Sequence, residues 1–127
     1  CQRVEGRETF GKKLSQHQSI RENIAKSYAE LEMARLLLHK TCWHIDHHGV
    51  KPSIELISAT KISVPLMIQA IIDRCMQMHG AGGLTEDWCM AEQFNYARWC
   101  RQADGPDEVH QMALGKRIIQ QYAEASA

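Results

Sequence analysis

The feature that most limits the fold is an apolar stripe that recurs every three or four positions between about residues 15 and 48. Its members are Ile20, Ile24, Tyr28, Leu31, Ala34, Leu38, Cys42 and Ile45. This period places apolar side chains along one face of a helix. Gly49 is the residue type that commonly follows the last turn of a helix. The pattern therefore predicts one long amphipathic helix over residues 15–48.

Three further helices are predicted after Gly49, over about residues 51–79, 87–101 and 106–122. Residues 1–5 have the pattern of a final helical turn, and residues 6–14 form a turn-rich link. Strand-type alternation of useful length does not occur in the sequence. Four helices joined by short links predict one all-α domain over residues 1–127, an antiparallel four-helix bundle.

Charge balance, cysteine count and the length of apolar runs limit the classes of protein to which this chain can belong. Fifteen basic and fifteen acidic residues give a net charge of zero, so no general attraction to nucleic acid is expected. The five cysteines are odd in number and lack CxxC spacing, which favours free thiols in a reducing intracellular compartment. No apolar run approaches the roughly 20 residues of a membrane span, so none is expected. The chain starts at Cys1 as if inside a helix, and we expect it to be a fragment of a longer protein.

The link between the third and fourth helices holds a carboxylate, Asp104, at a corner. Gly105 permits backbone conformations closed to other residues, and Pro106 suits the first position of a helix. Asp107 and Glu108 then place negative charge in the first turn, where the helix dipole favours it. Two interpretations of Asp104 remain open from these residues: an N-cap of the fourth helix, or the base of a reaction.

Three histidines near the end of the long helix form the most metal-like cluster. His44 and His48 are four residues apart, a spacing that is compatible with a zinc pair. His47, Cys42 and Asp46 lie nearby, but no third and fourth ligand is clear at helical spacing. Solvated histidines at a helix C-terminus explain the cluster more simply, so no metal site is predicted.

Two further patterns occur at the end of the second long helix. Cys75 and His79 are four residues apart, as a nucleophile and its base could be, but core packing of Cys75 is the favoured interpretation. The run Gly80-Ala81-Gly82-Gly83 follows a helix rather than a strand, so it is not a dinucleotide fingerprint of the Rossmann kind. A helix-breaking loop is favoured, although glycine would also let the backbone approach a ligand.

Three stretches resemble motifs of the acyl-CoA dehydrogenases, in the same order and at matching separations. Residues 7–20 resemble the element R-x-x-F-G-x-x-L-x-x-x-Q, and residues 77–84 (Q-M-H-G-A-G-G-L) resemble the element Q-x-x-G-G-x-G. Residues 98–110 are similar to the segment that carries the catalytic base in many members. The run A-D-G-P-D-E-V-H within that segment is most similar to family members 10 and 11. The resemblance covers essentially the whole chain and concerns the C-terminal helical domain of the family.

The resemblance implies that an N-terminal helical domain and a middle β-domain precede this chain. It also implies a homodimer or homotetramer assembled through these bundles, with FAD bound between subunits. The implied reaction is α,β-dehydrogenation of a fatty acyl-CoA, with electron-transfer flavoprotein as the acceptor. Such enzymes are mitochondrial or peroxisomal in eukaryotes.

The resemblance also assigns roles to individual residues. Arg7 would bind the FAD diphosphate, for which a guanidinium is well suited, with Phe10 and Gln18 beside the cofactor. Residues 77–81 would line its adenosine end. The full set of cofactor residues implied is Arg7, Phe10, Gln18, Gln77, Met78, His79, Gly80, Ala81, Pro106 and Glu108. Pro106 stands where the family has threonine. Ala81 stands where the family has the second glycine of its loop motif. We expect alanine to be tolerated at this position if the backbone there does not need positive φ.

Asp104 aligns with the glutamate base of the family. In the implied reaction this carboxylate removes a proton from the carbon alpha to the thioester, and hydride leaves the beta carbon for FAD. Aspartate is one methylene shorter than glutamate, so the substrate would have to lie closer. We expect the isolated chain neither to hold FAD firmly nor to oxidise acyl-CoA. The alternative function is a non-catalytic bundle that serves oligomer assembly and cofactor clamping.

Overall fold

The computed structural model describes residues 1–126 and confirms the predicted all-α fold. Within these residues the α-helices are α1 (Gln2–Gly6), α2 (Gln18–His48), α3 (Ile54–His79), α4 (Met90–Cys100) and α5 (Asp107–Ala125). The four long helices match the four predicted from the apolar periodicity. Ala127 lies outside the described residues.

The central element of the bundle is α3, because α2, α4 and α5 each pack against it. The segment Lys51–Leu84, which contains α3, reaches a mean hydropathy of 1.4 and is long and apolar enough to cross a membrane by length and composition alone. A core helix that is surrounded by other helices passes the same test. The absence of a membrane span therefore stays a prediction.

Three helix starts differ from the predicted ones because short 3₁₀ turns precede the helices. Such turns cover Leu14–Gln16 before α2, Lys51–Ser53 before α3 and Glu86–Trp88 shortly before α4. Each delays the first α-helical residue by about one turn. The helix ends are closer to prediction, since Gly49 terminates α2 with φ 82° and its N–H donates to the Ile45 carbonyl at 2.8 Å.

The link over residues 6–14 is a small β-hairpin rather than the turn-rich link that the sequence pattern predicts. Strand β1 (Glu8–Thr9) pairs antiparallel with β2 (Lys12–Lys13). Phe10 (φ 53°) and Gly11 (φ 77°) form the two-residue connection, and two consecutive positive φ angles are typical of the hairpin turns that match strand twist. Strands of two residues are too short to produce alternation.

Few apolar side chains are fully buried in this chain. Val4, Ala34, Pro65 and Ala97 are the buried residues with apolar side chains among those described. Many large apolar side chains on α2, α4 and α5 are exposed instead, including Tyr28, Met33, Leu36, Trp43, Tyr96, Trp99, Met112, Ile119 and Tyr122. Large apolar side chains exposed in such number on three helices are consistent with faces that pack against other protein.

Candidate functional site

Asp104 lies at the corner of the turn between α4 and α5, in an unusual backbone conformation. Its φ is 55°, in the left-handed region that aspartate tolerates better than most residues, and Gly105 follows with φ 106°. The residue is exposed. The residue that caps α5 is Pro106, in extended conformation, and there is no side-chain capping hydrogen bond at this helix start. The N-cap interpretation of Asp104 is therefore wrong, and its carboxylate accepts no hydrogen bond from the described residues.

Pro106 and Glu108 occupy the start of α5. Pro106 precedes the first helical residue rather than being that residue, which corrects the prediction by one position. Glu108 is exposed in the first turn. Asp107, which was predicted only as a charge near the helix dipole, is buried, with 6% of its surface exposed.

Asp107 forms an ion pair that the sequence pattern does not predict. Arg101 Nε donates to Asp107 Oδ2 at 2.7 Å, and Arg101 Nη1 donates to Gln69 Oε1 of α3 at 3.0 Å. The second carboxylate oxygen, Oδ1, is buried and has no hydrogen-bond partner among the described residues. The available signal was an arginine and an aspartate on either side of a Gly-Pro turn, but their contact depends on how the turn folds.

A histidine contacts the corner itself. His110 Nε2 lies 3.2 Å from the carbonyl oxygen of Asp104, and a carbonyl can only accept, so Nε2 carries the proton of this bond. His110 Nδ1 lies 3.5 Å from Ser58 Oγ of α3, at the outer limit of a hydrogen bond. Lys61 of α3 donates to the carbonyl of Cys100 at the end of α4. Side chains of α3 therefore hold this turn at several points.

The candidates Arg7, Phe10 and Gln18 lie on and beside the hairpin, and all three are exposed. Phe10 forms the hairpin tip and is 97% exposed. No ion pair among the described residues involves Arg7. Gln18 is the first residue of α2 and its amide donates to Glu22 at 2.7 Å. His17, which was not predicted, supports the hairpin, since its Nε2 lies 3.4 Å from the Thr9 carbonyl.

The second group of cofactor candidates, residues 77–81, is divided among three surfaces. Gln77, Gly80 and Ala81 line a cavity of 360 Å³ at the end of α3. His79 faces a different cavity of 580 Å³, next to α1, and its ring lies 5.2 Å from that of Trp88. Met78 lines an apolar groove between α2 and α3. The structure therefore brings three of the five residues together.

The loop after α3 depends on two of its glycines. Gly80 has φ 62° and ψ −145°, a conformation that is essentially restricted to glycine. A Cβ atom at Gly83 would lie 2.7 Å from the carbonyl oxygen of Met76, so this position needs glycine for close packing against α3. Ala81 does not have positive φ, so the condition under which alanine is expected to be tolerated there is met. Gly83 was not singled out from the sequence, because its role depends on tertiary contact.

The two other side-chain patterns have internal partners. His79 Nδ1 donates to the Cys75 carbonyl at 2.8 Å rather than pairing with the thiol. His44 Nδ1 pairs with Ser53 Oγ at 2.8 Å, and the ring of His47 stacks on Trp43 at 4.3 Å. Over residues 1–126 no three side chains are arranged to hold a metal ion. The absence of a metal stays a prediction.

Comparison with known proteins identifies the family. The family model described as acyl-CoA dehydrogenase, C-terminal domain, matches residues 1–119. Acyl-CoA dehydrogenase family member 11 of Gallus gallus is 40% identical over 116 residues, which are 91% of this chain and 15% of that protein. Family member 10 of Mus musculus is 44% identical over 114 residues, which are 90% of this chain and 11% of that protein.

Solved structures agree with the sequence relatives. A structure assigned to the acyl-CoA dehydrogenases from Mycobacterium abscessus superposes with a TM-score of 0.93 at 36% identity, over 96% of this chain and 30% of that one. A glutaryl-CoA dehydrogenase from Mycobacterium smegmatis in complex with FADH2 superposes with a TM-score of 0.86 at 28% identity, over 92% of this chain and 30% of that one. The chain thus spans less than a third of the length of each of these proteins. It belongs to the acyl-CoA dehydrogenase family, of which it represents the C-terminal helical domain.

Proposed function

We propose that this chain is the C-terminal domain of an FAD-dependent acyl-CoA dehydrogenase in which Asp104 is the catalytic base. The observation that carries the proposal is the exposed carboxylate of Asp104, which accepts no hydrogen bond from the described residues and lies on a corner with defined backbone contacts. A base must be ionised and free to reach the proton that it removes.

In the proposed reaction the Asp104 carboxylate takes the proton from the carbon alpha to the thioester. The C–H electron pair that is left forms the new α,β double bond. FAD, when bound, supplies the acceptor for the hydride that leaves the beta carbon. The substrate proposed is a fatty acyl-CoA. The acceptor proposed for the electrons is electron-transfer flavoprotein.

The residues present fit FAD in chemical type. Arg7 presents an exposed guanidinium without an ion-pair partner among the described residues, which suits a diphosphate. Gly80 lets backbone approach a ligand, and it shares its cavity with Gln77 and Ala81. Phe10 offers an aromatic face at the hairpin tip. We infer that these groups contact FAD; the FADH2 complex of the related glutaryl-CoA dehydrogenase supports this.

We further propose that the chain functions within a longer polypeptide that also has an N-terminal helical domain and a middle β-domain. Its uncovered apolar faces support assembly into a homodimer or homotetramer. Five free cysteines support a reducing intracellular compartment, mitochondrial or peroxisomal in a eukaryote. The isolated domain is then expected to bind no FAD at stoichiometric level and to turn over no acyl-CoA.

The test of the catalytic proposal is Asp104→Asn in the full-length flavoprotein. This change removes the base but keeps size and exposure, so FAD content should stay at the wild-type level. Flavin reduction by acyl-CoA in stopped-flow absorbance should slow by at least about 1,000-fold, the upper part of the range for loss of a general base. Asp46→Asn, at an exposed aspartate of α2, is the matched control and should reduce at the wild-type rate.

A non-catalytic role in assembly and cofactor clamping is the second candidate. The exposed apolar side chains of α2, α4 and α5 favour it. If Asp104→Asn reduced flavin as fast as Asp46→Asn, the base role would be wrong and the clamping role would be preferred.

A further inference from the structure

The turn that carries Asp104 is closed at its base by two bonds between the same two residues. The Asp107 N–H donates to the Arg101 carbonyl at 3.2 Å, and Arg101 Nε donates to Asp107 Oδ2 at 2.7 Å. Asp104 is three residues from each partner, at the apex of the closed loop. Residues 102–106 can therefore spread apart only if both the backbone bond and the ion pair break.

This ion pair is partly shielded from water, as is the pair of Arg74 with Glu30, whereas the remaining ion pairs of the described residues are more exposed. The side chains of Arg101 and Asp107 are 27% and 7% exposed, whereas those of Arg35 and Glu32 on α2 are 54% and 38% exposed. A charged hydrogen bond is stronger where solvent is excluded. Gln69 of α3 holds the same guanidinium at 3.0 Å and so fixes the pair to the centre of the bundle.

The apex has its own contact. His110 Nε2 donates to the Asp104 carbonyl at 3.2 Å from one turn into α5. The positive φ of Asp104 is a conformation that a residue with a side chain adopts at a cost. Bonds around the corner must therefore favour this conformation over the alternatives.

We propose that Arg101 and Asp107 are positioning residues for the Asp104 carboxylate, with His110 as a third contact at the corner. This inference rests on the proposed role of Asp104 as the base. The ion pair fixes the separation of the two ends of the loop, and His110 fixes the peptide that carries Asp104. Proton abstraction is sensitive to the position of the base, since a shift of about 1 Å can lower a rate by about 100-fold.

Arg101→Gln in the full-length flavoprotein is the first test. It removes the charge and the Nε donor, and it leaves Asp107 buried without a partner. Flavin reduction at saturating acyl-CoA should slow roughly 10- to 100-fold. FAD content and the half-saturating acyl-CoA concentration should change less than about twofold, because only transition-state positioning is lost. Arg101→Lys, which keeps the charge, should recover part of the rate.

The matched control is Arg117→Gln. It breaks the ion pair between Arg117 of α5 and Glu55 of α3, whose Nε and Oε1 atoms lie 3.2 Å apart. The side chains of this pair are more exposed than those of Arg101 and Asp107. This variant should reduce flavin at the wild-type rate. Asp107→Asn should behave like Arg101→Gln, and the double variant should be no slower than Arg101→Gln alone, because the two residues act through one contact.

Three outcomes separate the hypotheses, with Asp104→Asn measured alongside. An active Asp104→Asn variant would refute the base role and, with it, the positioning role. An inactive Asp104→Asn variant together with wild-type rates in Arg101→Gln and Asp107→Asn would refute the positioning role alone. Loss of FAD in parallel with loss of rate would also refute it, as a sign of general structural damage. If Arg101→Gln does not fold, Arg101→Lys and Asp107→Asn decide by the same comparison of rates.

Discussion

The turn around Asp104 and the hairpin that carries Phe10, with Arg7 beside it, are built in opposite ways. The turn is held by Arg101 at the end of α4, by Gln69 of α3, and by Asp107 and His110 of α5. The hairpin candidates, in contrast, are exposed side chains with few contacts. A base must be positioned by its own chain, whereas groups that bind a large cofactor must remain accessible. We therefore expect substitutions in the turn to change the rate of chemistry, and substitutions on the hairpin to change FAD affinity.

The loop at residues 80–84 combines features of both regions, because it carries cofactor candidates and also packs closely against α3 at Gly83. A substitution at Gly83 has the largest expected effect on the stability of the protein. A methyl group at Gly83 would lie 2.7 Å from the Met76 carbonyl oxygen and 2.8 Å from its Cα. Backbone atoms cannot move aside as a flexible side chain can, so Gly83→Ala should destabilise the protein by about 3 kcal/mol, at the upper end of overpacking costs. Thermal unfolding of the FAD-bound protein would measure this as a lowered Tm.

Gly82→Ala is the matched control for that change. A methyl group at Gly82 would meet Trp88 at 3.6 Å, an ordinary contact, and φ is not positive there. Its Tm should stay close to the wild-type value. Equal Tm values for the two variants would mean that the loop is not packed closely against α3. Of the two segments, only the Asp104 turn would then be held by contacts within this chain.

The second largest expected effect on stability comes from a substitution in the turn around Asp104. Gly105→Ala forces a side chain into φ 106° and places its Cβ 3.0 Å from His110 Nε2. The strain should cost about 2 kcal/mol, and the ring would have to move away from the Asp104 carbonyl. We expect a lower Tm together with slower flavin reduction. Gly115→Ala within α5, with open space around it, should instead be neutral or slightly stabilising.

If Gly105→Ala lowered the Tm without slowing flavin reduction, His110 would not affect the base. The contrast between a turn that determines the rate of flavin reduction and a hairpin that determines FAD affinity would then be weaker. The contact between Arg101 and Asp107 would remain as the test of that contrast.

How much of this could be read from the sequence depends on the range of the interactions involved. The four long helices and the end of α2 at Gly49 follow from local periodicity and from the preference of glycine for helix termini. The hairpin was missed because Phe-Gly is not the usual Asn-Gly or Asp-Gly signal and the strands have two residues each. The later helix starts were missed because 3₁₀ turns share the composition of a first helical turn.

Of the candidate site, the sequence predicted a corner at Asp104 but not the bonds that hold it. Contact between Arg101 and Asp107 requires residues 102–106 to fold back, and contact with Gln69 requires α3 to pack beside the turn. The capping interpretation was wrong because positive φ at Asp104 and Gly105 places Pro106 at the helix start instead. The contact with Gln69 is a tertiary effect, and the other two depend on the exact conformation of the turn, which residue types alone do not report.

The smallest expected effect lies on the hairpin, and it addresses affinity alone. Arg7 is exposed and makes no ion pair with the described residues, so Arg7→Gln should leave the Tm of the FAD-free protein unchanged. A guanidinium binds a diphosphate through paired hydrogen bonds. Its loss should weaken FAD binding by about 10-fold, which is about 1.4 kcal/mol. Titration of the FAD-free full-length protein with FAD, followed by flavin fluorescence, measures this change.

Lys12→Gln separates a specific contact from general charge attraction, because it removes one positive charge from the same exposed hairpin. An ammonium has no planar pair of donors, so FAD affinity should fall by less than about twofold. Equal weakening in both variants would show that the hairpin attracts FAD through net charge only. Loss of Tm in Arg7→Gln would mean that Arg7 supports the fold of the hairpin. Either result would remove the distinction between a positioned base and an accessible cofactor surface. If Arg7→Gln alone weakened FAD binding, the FAD diphosphate would be assigned to the Arg7 guanidinium.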